Sequence, residues 1–278
     1  IEDLPKGFMA VRTGPRNFSW RSDKPSNLIF VEALDGGNPE TDIKYRDEIF
    51  EVGYPFKQNK VSLLKTINRF YRIDWCNDTL ALGYDYWWNT RNTKAYIFSP
   101  SNTNQEPKII IDRNYQDRYN DPGSFVKRRN FYGKSILAMN KQNLYLMGDG
   151  FRDDGQFPFL DQLNLKSLKK VRLYESSFKD KKEDLLDFEA DNNMILTRIE
   201  SASEYPNYFF RDLKTDSLTK ITDFENPFLS IMDVSKEVIE YKRSDGIDLS
   251  ATLYLPKGYD INKKQKLPMI CLLYTSPS

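Results

Sequence analysis

Apolar and polar residues alternate with a period of two along most of the chain, in short runs rich in β-branched and aromatic side chains. No amphipathic segment of helical period persists beyond two turns, so the pattern predicts strands. Four runs stand out as inner strands: residues 28–33, 80–85, 144–149 and 194–199, with starts 52, 64 and 50 residues apart. Each is followed by two more runs: 43–45 and 49–52, 96–98 and 108–112, 159–165 and 171–175, 208–213 and 218–224. A shorter run comes before, as at 18–20, 71–75 and 135–139. Four strands recurring about every 40–50 residues is the signature of a β-propeller blade. The extra length in the second interval falls in one loop, 114–129, where insertions are tolerated.

Turn chemistry agrees. Asp35-Gly36-Gly37, Asn102-Thr103-Asn104, Asp121-Pro122-Gly123, Asp153-Asp154-Gly155 and Asp191-Asn192-Asn193 fall between the runs. Such residues tolerate a positive φ or bond their own backbone. A two-sheet sandwich also has many short strands, but the regular grouping by four favours a propeller.

The pattern changes near residue 235. Runs 238–242 and 247–255 flank Ser244-Asp245-Gly246, a hairpin signal. Ile247, Leu249, Ala251, Leu253 and Leu255 alternate with Asp248, Ser250, Thr252 and Tyr254, which predicts an antiparallel strand with one wet face. A polar loop, 257–266, leads to Leu267-Pro268-Met269-Ile270, read as the start of a fully buried strand. The shift places a domain boundary between Asp233 and Lys236, giving domains 1–234 and 235–278.

Composition then narrows the chemistry. The 278 residues include no histidine and two cysteines, Cys76 and Cys271, 195 apart. Without histidine the chain assembles no Ser-His-Asp or Cys-His nucleophile system. Histidine-ligated zinc, haem and non-haem iron are excluded with it, and no cofactor is expected. Lys and Arg number 41 against 40 Asp and Glu, a net charge of +1, which makes no electrostatic case for nucleic acid. The longest apolar run, 269–274, is far short of the roughly 18 residues of a membrane helix, so no span is expected. Hydrophobic residues at 39% and aromatics at 14% are enough for a core. Residues 272–278, Leu-Leu-Tyr-Thr-Ser-Pro-Ser, resemble a translated sequencing adapter and are set aside from fold reasoning. The chain reads as an internal fragment.

Several motifs in order carry a resemblance. Residues 239–256, Ile-Glu-Tyr-Lys-Arg-Ser-Asp-Gly-Ile-Asp-Leu-Ser-Ala-Thr-Leu-Tyr-Leu-Pro, resemble the opening of the α/β-hydrolase domain in prolyl oligopeptidase family serine peptidases. Thr13-Gly14-Pro15-Arg16 with Trp20-Arg21, and Glu32-Ala33-Leu34-Asp35-Gly36-Gly37, resemble the glutamyl-endopeptidase-like branch. So do Trp87-Trp88-Asn89-Thr90-Arg91, Asp112-Arg113 through Asp121-Pro122-Gly123, and Pro158-Phe159-Leu160-Asp161. The similarity runs from about residue 7 to 270. It implies an all-β fold class here: a partial β-propeller of about four four-stranded blades, then the first strands of an α/β-hydrolase domain. It also implies a catalytic Ser, Asp and His, the serine on a Gly-x-Ser-x-Gly elbow. The chain has no such elbow, so no catalytic, cofactor-binding or metal residue is assigned. Tyr274 falls by count where this branch has a Tyr-Pro step, but Thr275 departs from it, and Tyr274 is given no role.

Other local motifs have bland readings. Asp149 to Gly155 lacks the glycine and glutamate of an EF-hand loop and reads as a hairpin turn. Residues 112–121 read as a salt-bridged loop neutralised by Arg113 and Arg118. Lys127-Arg128-Arg129 reads as a solvated basic segment, with contact to an acidic substrate as the rival. Residues 179–184 alternate in sign and read as an exposed loop between blades. Trp20, Trp75, Trp87 and Trp88 are expected in the core. Asn17-Phe18-Ser19 and Asn77-Asp78-Thr79 match a glycosylation pattern at strand edges.

Two functions are expected. In the first, a serine-type peptidase uses the propeller to gate peptide access to a catalytic domain. In the second, a propeller binds partners without catalysis, because fold does not fix function. The hairpin after residue 235 favours the first. The resemblance is compatible with a periplasmic or secreted location; oligomeric state is left open.

Overall fold

The computed structural model describes residues 4–229, 234–263 and 266–272. Two compact units divide the chain: residues 1–201 with 206–223, and residues 202–205 with 224–278. No α-helix occurs among the described residues.

The first unit holds four antiparallel sheets in sequence. The first contains β1 (Arg16–Trp20), β2 (Asn27–Ala33), β3 (Asp47–Gly53) and β4 (Val61–Thr66). The second contains β5 (Arg69–Asn77), β6 (Leu80–Trp87), β7 (Asn92–Phe98) and β8 (Lys108–Asn114). Both follow chain order, each strand pairing with the next. In the third, β9 (Ser124–Phe125) and β12 (Met139–Asn140) share one side of β13 (Asn143–Gly148), followed by β16 (Phe159–Asn164) and β17 (Lys170–Glu175). Two ribbons accompany it: β10 (Lys127–Arg129) with β11 (Ser135–Leu137), and β14 (Phe151–Arg152) with β15 (Gly155–Gln156). The fourth sheet contains β18 (Lys181–Glu189), β19 (Met194–Ser201), β20 (Asn207–Asp212) and β21 (Ser217–Lys220).

Packing between consecutive sheets makes these blades of a propeller. Ile29, Val31, Ile49 and Leu64 of the first sheet meet Phe70, Trp75, Ala81 and Phe98 of the second. Leu80, Leu82 and Tyr84 turn the other way, onto Phe125, Leu137, Leu144 and Leu146 of the third. Tyr145 and Leu160 of the third in turn meet Phe188 and Ile195 of the fourth. The middle blades are therefore covered on both faces. That is why β6 is buried from Leu80 to Asp85 without interruption, a pattern one wet face could not give. The runs read as inner strands, β2, β6, β13 and β19, each lie second, between two hydrogen-bonded neighbours.

Three expectations about the strands and tryptophans of the first unit are corrected. Residues 43–45 form no strand: Ile43 is 38% exposed in the connection between β2 and β3, and β3 takes the place beside β2, with β4 completing the sheet. Residues 181–184 are not a loop but the start of β18. A period of two sends Glu183 inward, 2% exposed, where Tyr174 Oη (2.6 Å), Thr197 Oγ1 (2.9 Å) and Arg211 Nη2 (3.5 Å) donate to its carboxylate. Of the tryptophans, Trp75 is in the core, whereas Trp20 is 59% and Trp88 40% exposed. Each exposed ring has an aromatic or cationic neighbour instead, Phe56 at 6.0 Å and Arg91 at 3.7 Å.

In the second unit β22 (Ser235–Lys242) pairs with β23 (Asp248–Leu255) through the turn at Ser244-Asp245-Gly246, where Gly246 takes φ 88°. The expected alternation is present from Leu249 on: Leu249, Ala251, Leu253 and Leu255 are half-buried and the residues between them exposed, whereas Ile247 precedes β23 and is 49% exposed. The strand expected at 267–270 is not formed. Met269 is 78% and Ile270 90% exposed, and no described segment pairs with them. A strand needs such a partner for its amide and carbonyl groups. Tyr274 and, of the boundary read between Asp233 and Lys236, Asp233 itself lie outside the described residues.

Candidate functional site

The first strands of successive blades converge on a common cleft of about 580 Å³. It is lined by Arg72 of β5, by Ser124, Phe125, Val126 and Lys127 of the third blade with Met147 of β13, and by Leu185, Leu186 and Asp187 of β18. Strands from three blades sharing one space is what a propeller axis requires.

Each lining group is placed by a local feature. In β18 the register slips between Leu185 and Asp187, leaving Leu186 unpaired. Such a bulge re-aims a side chain, and Leu186 is accordingly 44% exposed at the cleft. In β5, Asp74 is 6% exposed and accepts from Lys127 Nζ at 2.6 Å. Arg72 Nη2 donates to the same carboxylate at 3.4 Å, and its guanidinium lies 4.3 Å from the centre of the Tyr84 ring. Burial pushes the Tyr84 phenol well above its ordinary value, and the Asp74 charge adds to the rise. Two cations meet one buried carboxylate, and Lys127 through it ties β10 to β5.

The third blade has an unusual first strand. Phe125 pairs with Leu146 and Met139 with Leu144, so 124–126 and 138–140 are two pieces of one strand beside β13. Between them residues 127–137 leave the sheet as the β10–β11 hairpin. Its base is fastened by Lys127 to Asp74 and by the contact of Cys76 Sγ with Leu137 O at 3.9 Å. Its tip is fastened by Asn130 Nδ2, which donates to Ser22 O at 2.7 Å. The hairpin thus reaches from the third blade across the second to the first.

The remaining charged groups noted in the sequence are structural. Arg69 sits between Asp35 (2.8 Å) and Asp47 (3.0 Å), both fully buried, locking the first two blades. In the 112–121 loop Arg113 pairs with Asp121 at 2.6 Å, but Arg118 lies over Phe151 at 3.9 Å instead of neutralising an acid. Asp153 and Asp154 form the turn of the β14–β15 hairpin, as read. No metal-ligand cluster occurs among the described residues. The cleft offers cationic, acidic, apolar and hydroxyl groups for binding, Asp187 being the acid; a histidine-activated nucleophile is absent because the sequence has none. Arg72, Asp74 and Leu186 carried no sequence signal, since a bulge and pairing between distant strands place them.

No known family profile matches the chain. Curated relatives do. The chain is 34% identical over 292 residues to the Oryza sativa subsp. japonica protein named "Probable glutamyl endopeptidase, chloroplastic", covering 99% of this chain and 31% of that protein. It is 35% identical over 295 residues to the Arabidopsis thaliana protein of the same name, covering 99% and 30%. Over nearly its whole length the chain is similar to these probable glutamyl endopeptidases. It spans about a third of the length of these relatives. Among solved structures, oligopeptidase B from Trypanosoma brucei is a distant likeness, with TM-score 0.45 and 7% identity over 88% of this chain and 39% of that one.

Proposed function

We propose that this chain is the propeller portion, with the opening hairpin of the hydrolase domain, of a serine-type peptidase that hydrolyses peptide bonds. Residues 1–234 wall and gate the approach of peptides, and residues 235–278 begin the catalytic domain. The observation that carries this reading is the identity to the two plant glutamyl endopeptidases across 99% of the chain. Because these residues include no histidine, the chemistry belongs to other parts of the complete protein. There a histidine activates the serine and backbone amides stabilise the oxyanion.

The test compares this chain with the complete protein. The complete protein cleaves an internally quenched peptide and is labelled by a fluorophosphonate on a serine outside these 278 residues. This chain alone does neither. Inert complete protein, or fluorophosphonate labelling within the 278 residues, overturns the proposal.

A further inference from the structure

The hairpin that interrupts the third blade's first strand is unlike the rest of the unit in what it exposes. Residues 127–137 contain Lys127, Arg128, Arg129 and Lys134 and no acidic residue. Lys127 is spent on Asp74, and Arg129 donates to Gly133 O, which leaves its charge uncompensated. Arg128 and Lys134 have no ion pair among the described residues. At the tip Phe131 is 97% exposed and Tyr132 57%, their rings edge-on at 5.7 Å. An apolar ring turned wholly into water at the end of a cationic ribbon contributes nothing to folding, and exposed apolar groups ringed by charge mark contact surfaces. The ribbon is also held in place: Asn130 and Lys127 fix it at both ends, and Ile136 and Leu137 are buried beneath it. A preorganised arm loses little entropy on binding.

We propose that the β10–β11 hairpin is a peptide-docking arm that selects acidic segments. Arg128, Arg129 and Lys134 attract carboxylates, and Phe131 with Tyr132 covers an apolar side chain beside them. Charge complementarity commits the occupant to an acidic peptide: three uncompensated cations occupy one ribbon in a chain whose net charge is +1. The base of the arm lines the cleft through Lys127, so a docked segment lies at its margin. The proposal deepens the peptidase reading, yet it is read by binding to this chain alone. An inert complete protein would therefore leave it standing.

Fluorescence anisotropy with a labelled twelve-residue peptide rich in Glu and containing one Leu, and with its Gln counterpart, decides the matter. The Glu peptide binds the 278-residue chain at least tenfold more tightly than the Gln peptide, and 0.5 M salt removes the difference, as screening requires. R128Q/R129Q/K134Q abolishes the preference while circular dichroism is unchanged, because all three side chains are exposed. F131A weakens both peptides severalfold. Equal affinity for the two peptides, or binding of neither, overturns the proposal. So does a concentration-dependent dimer that F131A dissolves in the absence of peptide binding, since the tip would then be a contact between copies of this chain.

Discussion

Gly83 gives a test of the blade packing in which the sign of the effect decides. It lies in β6 between Leu82, which faces the third blade, and Tyr84, which does the same; Gly83 itself turns toward the first blade. A Cβ there would lie 2.2 Å from Leu64 Cδ2 and 3.6 Å from Phe98 Cε1. Its backbone φ is not in the left-handed region, so alanine meets no backbone strain. On propensity alone Gly83→Ala would stabilise the strand by about 0.5–1 kcal/mol. Leu64 is 2% exposed and has little room to retreat, and overpacking of that kind costs about 1–3 kcal/mol. The net expectation is a loss of about 1–2 kcal/mol, or a Tm lower by roughly 2–8 °C at about 2–4 °C per kcal/mol for a unit of this size. Leu64→Ala alone opens a cavity and costs about 2–5 kcal/mol. In the double variant the methyl added by Gly83→Ala occupies part of that space. The two losses should fall short of additive by about 1 kcal/mol or more. Urea unfolding of the four proteins supplies the cycle. A raised midpoint for Gly83→Ala, or strict additivity, would refute the close approach of the first two blades.

Burial pushes the Cys76 thiol up to about 11, with Arg128 opposing the rise, while Cys271 is exposed. At pH 8 a disulfide reagent should therefore modify one thiol rapidly, at Cys271, and reach Cys76 only in denaturant; two fast equivalents in the native chain would contradict this. Hydrogen bonds from Lys94 and Asn92 hold the Asp112 carboxyl below its ordinary 3.8. The folded value is depressed, so the contribution is present above 3.8 and is lost as pH falls through the folded value. Asp112→Asn should cost at most about 1 kcal/mol at pH 7, Asp112 being half exposed, and less at pH 2.5, as urea midpoints would show. Replacing Glu183 by Leu leaves Arg211, 6% exposed, without its buried partner and should cost about 3 kcal/mol or more; a cost under 1 kcal/mol would mean that Asp216 alone suffices. Amides of β23 should exchange far faster than those of β13, because β23 has one paired neighbour and β13 lies between strands on both sides; equal protection in a dilute monomer would contradict that.

Much of this architecture is legible in the residues themselves. The strand period, the recurrence of four runs, the turns at Asp35-Gly36-Gly37 and Asp153-Asp154, and the wet face of β23 follow from backbone geometry and local turn chemistry. These act over a few neighbouring residues, and the sequence states them directly. The family resemblance was equally open, because it rests on ordered motifs along the chain. What escaped depends on residues far apart. Glu183 sits in a run of alternating charge and becomes a core residue because Tyr174, Thr197 and Arg211 converge on it. Trp20 has the composition of a core residue, yet it is 59% exposed and meets Phe56 beyond the end of β3. The single first strand assembled from 124–126 and 138–140 is invisible locally, since only β13 brings its pieces together. The cleft follows the same rule. Arg72 and Leu186 become neighbours because radial packing converges strands that are more than a hundred residues apart. Period is a property of the chain, whereas burial and partnership are properties of what the fold sets against it.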